Sequence, residues 1–256
     1  MESEIRELGQ LIQRLAYEDR NLRVFGADVH EYQVGPTLSA LELQRFERRH
    51  RIELPEDYRL YLELVGNGGL GASLGGAGPD YGVYSLIERE EFADSCEEFS
   101  DSADENILSC PFPQTYSLNL IKGQTHNLWR GPIPGALEIG MKGCSYTTHL
   151  IVSGEARGTI WNGWEHRYLD PTGVTFSQWM RDWAEAKISR IARDRLADGI
   201  EIGMSKSQAA LACGFDFVER DAPWSAGAKY LRFKQFSIDF YLDQNEKITR
   251  IVKYSL

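Results

Sequence analysis

The sequence has no long apolar run. Its longest stretch of consecutive apolar residues is five, from Ala209 to Cys213, whereas a membrane-spanning helix needs about 20. We therefore expect no segment that crosses a bilayer. The first seven residues contain three glutamates at the place where a secretory signal has a basic stretch and then an apolar one, so we expect a cytoplasmic protein.

Cysteine is scarce as well. The four cysteines are Cys96, Cys110, Cys144 and Cys213. Their wide spacing, without a C-x-x-C pair, predicts neither a disulfide framework nor a structural zinc site, and we expect reduced thiols that are mostly buried. The sequence also lacks the G-K-[ST], H-E-x-x-H and EF-hand motifs, so we predict no metal site and no cofactor.

Basic residues are outnumbered. The chain has 28 Lys and Arg against 38 Asp and Glu, which gives a formal net charge of −10. Such a balance disfavours direct contact with nucleic acid or with an anionic membrane, because both are recognised through basic patches. A protein partner with a basic surface fits better.

Apolar residues at steps of three and four predict helices near the N-terminus. The first covers residues 4–17, and Leu22, Val24 and Phe25 after it suggest a short strand. A second helix, about 40–50, opens with Ser39-Ala40-Leu41-Glu42, which has the form of a capping box.

A third helix is predicted to follow Leu54-Pro55-Glu56-Asp57, because proline and acidic residues favour a helix start. Asn67-Gly68-Gly69 is predicted to end it, because these residues tolerate a left-handed backbone. Further along, a long apolar stripe from Phe176 to Ile191 predicts the clearest helix of the chain.

Residues 84–169 consist of short β-branched and aromatic runs between turn residues, which is typical of a sheet. Thr147–Val152 and Thr159–Trp161 flank a turn with glycine at both ends and predict a hairpin. We predict an α+β fold, in which a mixed or antiparallel sheet is flanked by helices and a small C-terminal α+β module follows.

The predicted domain division has three parts. Residues 1–35 form an N-terminal helical extension, 36–195 the main domain and 196–256 a small β-α-β-β-β module. In that module Ser205-Lys206-Ser207-Gln208 opens a short helix that Gly214 ends. Its three clearest strands are Tyr230–Phe233, Ser237–Leu242 and Lys247–Tyr254.

Two patterns raise the possibility of an enzyme. Gly71-Ala72-Ser73-Leu74-Gly75 fits the G-x-S-x-G form of a hydrolase nucleophile elbow, and residues 66–71 fit G-x-G-x-x-G. Both motifs require a strand directly before them and a helix directly after, and the predicted flanks have neither. The five histidines are more typical of surface or core imidazoles than of ligands. We therefore predict no catalytic residue and keep a Ser73 hydrolase as an unfavoured alternative.

The charge is concentrated in one segment, which we call the acidic segment, residues 88–105. It contains nine acids and one base, Arg89. Phe92, Cys96, Phe99 and Ala103 would share one face of an amphipathic helix. The charge could serve solubility or steer a basic partner. As candidate partner-binding residues we take Glu90, Glu91, Asp94, Glu97, Glu98, Asp101 and Asp104.

Trp161 and Trp164 stand close to a predicted turn. Tryptophan is a common anchor of protein interfaces, although such an aromatic also often caps the core. We expect Trp161 to point inward and take Trp164 as an eighth candidate partner-binding residue.

Several motifs together resemble the SUKH superfamily. They are Ser39 to Glu47, Leu54-Pro55-Glu56-Asp57-Tyr58-Arg59, Asn67-Gly68-Gly69, Gly78-Pro79-Asp80-Tyr81-Gly82 and Gly154 to Trp161. The resemblance spans about residues 36–190. The superfamily includes a fungal regulator of cell-wall glucan synthesis and many bacterial immunity proteins that neutralise secreted toxins.

This resemblance implies an α+β domain that works by binding and has no active site. It places Phe46, Leu54, Tyr58 and Leu62 in the core and makes Asn67-Gly68-Gly69 a structural cap. The function it implies is that of an immunity protein, which would block a cognate toxin, such as a nuclease, through an acidic surface. The alternative it implies is a regulatory scaffold of the fungal type.

Overall fold

The computed structural model describes residues 1–69, 75–87, 106–113, 133–144, 146–164, 168–196, 198–214, 216–222, 229–233 and 238–254, with the backbone alone at 164, 168 and 196. Its elements are helices and two four-stranded antiparallel sheets, which confirms the α+β prediction. The chain divides into two units. The first contains residues 1–17 and 26–184, and the second contains residues 18–25 and 185–256.

The first helices follow the predicted hydrophobic periodicity. Helix α1 (Glu2–Glu18) buries Ile5, Leu8, Ile12 and Leu15, and a short helix α2 (Ala27–His30) comes next. Helix α3 (Ala40–His50) has both hydrogen bonds of the predicted capping box. Helix α4 (Glu56–Leu64) begins directly after Pro55.

The short strand predicted at residues 22–25 is wrong. The two carboxylate oxygens of Asp19 accept the backbone N–H groups of Arg23 and Val24, at 2.8 and 2.9 Å. These bonds occupy the donors that a ladder would need, so the chain forms a loop. Within this loop Val24 is buried, whereas Phe25 is exposed.

The first sheet is formed by β1 (Ala136–Gly143), β2 (Tyr146–Ile151), β3 (Thr159–Trp164) and β4 (Tyr168–Thr175), paired in chain order. The predicted hairpin is confirmed, since β2 and β3 are antiparallel neighbours. Trp161 points inward as predicted and is packed with Phe112, whose ring centroid lies 5.0 Å away.

Helix α5 (Phe176–Leu196) begins where β4 ends. The Phe176 ring lies edge-on to Tyr58 and Tyr61, with centroid distances of 4.8 and 5.0 Å. Asp57 accepts the Ser177 N–H at 2.8 Å and so satisfies a backbone donor in the first turn of α5. The predicted core positions Phe46, Leu54, Tyr58 and Leu62 are all buried.

The second unit contains helix α6 (Lys206–Cys213), then β5 (Phe217–Asp221), β6 (Lys229–Phe233), β7 (Ile238–Leu242) and β8 (Ile248–Lys253). Ser205 and Gln208 form the predicted capping box, and Gly214 follows the helix with a φ of 87°. The predicted β-α-β-β-β order is wrong, because all four strands follow α6. Within the described residues from 198 to 205, the only β feature is a single bridge between Ser205 and Lys247.

The expectation of mostly buried thiols is wrong for two of the three cysteines in the described ranges. Cys213 is buried, Cys110 half-buried and Cys144 exposed. Burial raises the pKa of the Cys213 thiol. None of the helices in the described part of the chain combines the length and hydropathy needed to cross a bilayer.

Candidate interaction surfaces

The acidic segment lies outside the described residues. This holds for all seven candidate acids, Glu90, Glu91, Asp94, Glu97, Glu98, Asp101 and Asp104. Trp164 is the last residue of β3, and its backbone lies opposite Tyr146 and Tyr168 in the sheet register. Its side chain is not among the parts of the chain that the structure describes. The structure instead defines how the chain enters and leaves the acidic segment.

The chain entering the acidic segment is held by Asn67. The Leu86 backbone N–H donates to Asn67 Oδ1 at 2.7 Å, and Asn67 Nδ2 donates to Ser85 Oγ at 2.9 Å. All three residues are buried. Asn67 was predicted from sequence as part of a helix cap, but α4 ends at Leu64 with Val65 as its C-cap. The Asn67 side chain instead holds the two residues Ser85 and Leu86 just before the acidic segment.

The chain leaving the acidic segment is held by a 3₁₀ turn, Ile107–Ser109, whose Leu108 is buried. The Ile107 carbonyl accepts the Gly135 N–H at 3.0 Å, and the Ser109 carbonyl accepts the Ser153 hydroxyl at 3.1 Å. Both ends of the acidic segment are therefore anchored in the first unit.

A shallow groove of about 280 Å³ lies at the entry to the acidic segment. It is lined by Ile87 and by four residues of α3, Glu42, Arg45, Phe46 and Arg49. The hydrogen bonds from the Ser39 hydroxyl and backbone N–H hold the pKa of Glu42 below its ordinary value. The groove offers charge and apolar area, which are the components of a protein contact.

The glycine-rich segment packs backbone against backbone. Gly68 has a φ of 57°, and a Cβ on it would lie 2.2 Å from the Tyr84 carbonyl oxygen. A Cβ on Gly76 would lie 2.2 Å from the Gly68 carbonyl oxygen. These glycines are required for close approach of the chain to itself. The helix end predicted at Asn67-Gly68-Gly69 is wrong, because α4 ends at Leu64 with Val65 as its C-cap.

The described residues next to the two enzyme-like motifs belong to no named strand, and those after the motifs belong to no helix. Ser73 is outside the described residues, but residues 65–69 before it and 75–82 after it belong to no named strand and to no helix. A nucleophile elbow needs a strand that leads directly into the serine and a helix that leaves it. Residues 66–71 likewise follow α4 instead of a strand.

The histidines in the described ranges make structural contacts. His149 and Thr147 are buried on β2, with Nε2 and Oγ1 2.8 Å apart. Gly163 opposite leaves room for this pair, since a Cβ there would lie 2.4 Å from Thr147 Oγ1. The Nδ1 of buried His30 accepts the Tyr32 N–H at 3.0 Å, while the His50 ring packs on Phe46.

A second surface, absent from the sequence prediction, lies on the second sheet. We call it the Arg/Tyr face; it is the face opposite the apolar cluster that contains Leu231, Phe240 and Ile248. Its members follow from the strand register, which aligns them in two cross-strand rows. The first row is Arg220, Tyr230, Tyr241 and Arg250, and the second is Val218, Arg232, Asp239 and Val252, with Tyr254 just beyond β8.

The Arg/Tyr face is held together by ring contacts. Tyr230 and Tyr241 are stacked with centroids 5.4 Å apart. The Arg232 guanidinium lies over the rings of Tyr230 and Tyr254, and that of Arg250 lies 5.6 Å from the Tyr241 centroid. The rings of Tyr230, Tyr241 and Tyr254 therefore each lie next to a guanidinium group, and Tyr230 and Tyr254 share that of Arg232.

Asp239 anchors the second row. It is 1% exposed and accepts hydrogen bonds from Arg232 Nε at 2.9 Å and from the Tyr254 hydroxyl at 2.7 Å. The bond to Asp239 raises the pKa of Arg232, and burial together with the bond to Asp239 raises the pKa of Tyr254 to about 12. Asp239 is thus paired within the sheet.

The signal for the Arg/Tyr face is present in the sequence. Within each of three predicted strands, members of the face stand two residues apart, and residues at that spacing share one side of a strand. They are Tyr230 and Arg232, then Asp239 and Tyr241, then Arg250, Val252 and Tyr254. The prediction missed it because the strands were not aligned with each other, and only the register brings these residues together.

No group of three or more His, Cys, Asp or Glu residues in the described ranges is arranged to hold a metal ion. Comparison of the chain with protein-family models, with curated proteins and with solved structures gave no significant match.

Proposed function

We propose that the protein binds and neutralises a basic partner protein, in the manner of a bacterial immunity protein that occludes its cognate toxin. The observation that carries the proposal is the acidic segment, whose nine acids and one base account for most of the net charge of −10. The resemblance to the SUKH superfamily supports the same functional class.

The electrostatic argument favours a nuclease-type toxin. A nuclease must present positive charge to hold phosphates, so an acidic protein surface can compete for the same site. Clustered charge also raises the rate of association at low salt by 10- to 1,000-fold or more, because it steers the partner during diffusion.

The anchoring of the acidic segment supports a binding role. Asn67 holds its entry at Leu86, and the 3₁₀ turn around Leu108 holds its exit. A segment closed at both ends loses less conformational entropy on binding than a free tail of the same length. Its charge therefore stays close to one unit of the protein.

The test combines two measurements on the full chain. The first is co-purification with the product of the neighbouring gene. The second is the association rate of that pair at increasing ionic strength, for the unmodified chain and for the variant Glu90→Gln, Asp94→Asn, Glu97→Gln and Asp101→Asn. We expect the variant to associate at least about tenfold more slowly at low salt.

A matched control removes four exposed acids elsewhere, Glu7, Glu155, Asp170 and Glu201, by the same amide substitutions. It changes the net charge equally, so the association rate should change much less than in the first variant. An association rate that does not change with ionic strength and is the same in the first variant as in the unmodified chain would exclude the proposed mechanism. Labelling by a fluorophosphonate probe that is lost in Ser73→Ala would instead favour the hydrolase alternative.

A further inference from the structure

The Arg/Tyr face offers a positive surface on a negative protein. Among its members, Arg232 is paired with Asp239, whereas Arg220 and Arg250 have no acidic partner among the described residues. Both are exposed. We infer that the Arg/Tyr face binds an acidic segment of a partner protein, and that it is a second binding site, opposite in charge to the acidic segment.

The spacing of the two arginines fits an extended peptide. Arg220 lies on β5 and Arg250 on β8, at the two edges of the sheet and in the same cross-strand row. Three interstrand spacings separate their backbones by roughly 14 Å. An extended chain rises about 3.3 Å per residue, so carboxylates four residues apart would reach both guanidinium groups.

The face is preorganised for such a contact. Arg250 is held over Tyr241, Tyr241 is stacked on Tyr230, and Asp239 fixes Arg232. Side chains already held in place lose less rotamer freedom when a partner arrives. Arginine and tyrosine, together with tryptophan, are also enriched among the residues that contribute most to the binding energy of protein interfaces.

The ring contacts favour a protein over a single-stranded nucleic acid. Nucleic-acid surfaces of this kind stack bases on aromatic rings that are open to the ligand. Here the rings of Tyr230 and Tyr241 are stacked on each other and each also carries a guanidinium. A net charge of −10 also repels a long polyanion more than a short acidic peptide.

The test uses the full chain and two labelled probes of known chemistry, a peptide of about six aspartates and an oligothymidylate of about 12 nucleotides. Fluorescence anisotropy is measured for the unmodified chain and for the variant Arg220→Glu, Arg250→Glu. We expect the peptide to bind more tightly than the oligothymidylate, with an affinity that falls at least about tenfold in the variant and also falls with salt.

The matched control is Arg6→Glu, Arg14→Glu, which reverses two exposed charges of α1 and changes the net charge equally. Peptide affinity should stay within about twofold in this control. If Arg220→Glu, Arg250→Glu fails to fold, as judged by circular dichroism, Arg220→Gln, Arg250→Gln replaces it and should still weaken peptide binding.

Three results would overturn the inference. They are no peptide binding, an equal loss in both double variants, and tighter binding of the oligothymidylate that depends on Arg220 and Arg250. The last would assign the face to single-stranded nucleic acid. Since these variants leave the acidic segment intact, association with the basic partner should not slow, which separates this inference from the proposed function.

Discussion

The two sheets have the same topology, but the inner strand β2 of the first and the outer strand β8 of the second present their side chains differently. Each has four antiparallel strands paired in chain order. In the first sheet, β2 is buried at every position from Thr147 to Ile151, so both of its faces are covered. In the second sheet, β8 is buried only at Ile248, and its remaining residues are exposed or half-buried.

The buried strand β2 therefore supports the fold, whereas the open strand β8 presents side chains to solvent. The polar side chains of β2 are used internally, as in the pair of Thr147 and His149. Those of the second sheet include Arg220 and Arg250, which are exposed to solvent. A strand covered on both faces has no side chain left to offer a partner, whereas a strand with one open face offers every second residue.

The largest effect is expected from the cores of the two units. Phe176→Ala in the first and Phe240→Ala in the second each remove a fully buried ring, and each should lower the free energy of unfolding by about 3–5 kcal/mol. Urea denaturation measures it. The control Leu211→Ala removes an exposed side chain and should change stability by less than about 0.5 kcal/mol. Comparable values for Phe176→Ala and the control would contradict the described packing.

The next largest effects on stability are expected at three glycines. Together they separate the cost of a steric clash from the cost of a positive φ. Gly68→Ala meets the Tyr84 carbonyl at a positive φ, Gly173→Ala has a positive φ in open space, and Gly199→Ala has neither feature. We expect the free energy of unfolding to fall by about 2–4 kcal/mol in Gly68→Ala, by about 1–2 kcal/mol in Gly173→Ala and by less than about 0.5 kcal/mol in Gly199→Ala. Thermal unfolding of the three variants gives the order. A Gly68→Ala variant as stable as Gly199→Ala would show that the close backbone packing is absent.

A smaller effect is expected at the anchor of the Arg/Tyr face. Asp239→Ala leaves the Arg232 guanidinium and the Tyr254 hydroxyl without their acceptor and should cost about 1–3 kcal/mol. Tyr254→Phe removes one of these bonds and should cost about 0.5–1.5 kcal/mol. Urea denaturation compares both with Asp221→Ala, an exposed position at the end of β5. An Asp239→Ala cost no greater than that of Asp221→Ala would argue against the pairing.

The smallest effect distinguishes the two capping boxes. Ser39→Ala and Ser205→Ala should each cost about 1 kcal/mol at neutral pH. The pKa of Glu42 is lowered in the folded state, so its contribution is present above the ordinary carboxyl pKa and is lost as pH falls through the lowered value. Gln208 does not titrate. The cost of Ser39→Ala should therefore fall at acidic pH while that of Ser205→Ala stays constant.

Urea denaturation at about pH 7 and at acidic pH tests this difference. Glu42→Gln is the control, because it gives the first box the same chemistry as the second. In that background the cost of Ser39→Ala should be the same at both pH values. A pH-dependent cost that persists in Glu42→Gln would assign the effect to another group.

Much of the local structure could be predicted from the sequence. The capping boxes at Ser39 and Ser205, the amphipathic stripe of α1 and the β2–β3 hairpin depend on residues close together in the chain. Local bonds also caused an error. The carboxylate of Asp19 turns residues 22–25 into a loop, and a strand-like composition does not reveal a side-chain acceptor.

The candidate surfaces were predicted less completely. The acidic segment is evident from composition alone, but its anchors depend on Asn67 and Ser85, which stand 18 residues apart in the sequence. The Arg/Tyr face depends on the alignment of four strands. A shift of one residue in any pairing would move its side chains to the opposite face, and the sequence pattern of a single strand does not fix that alignment.

The amino-acid sequence by itself determined the two capped helix starts, the hairpin and the concentration of negative charge, because these follow from hydrogen bonds and periodicities within a few residues. Only the tertiary structure decided which polar residues are buried for support and which are displayed. Asn67 and Arg250 are both polar residues near turns or strand ends, yet one is enclosed by backbone groups from a distant segment and the other lies on an open sheet face. That outcome is set by which segments pack over them, a long-range property that the local pattern does not contain.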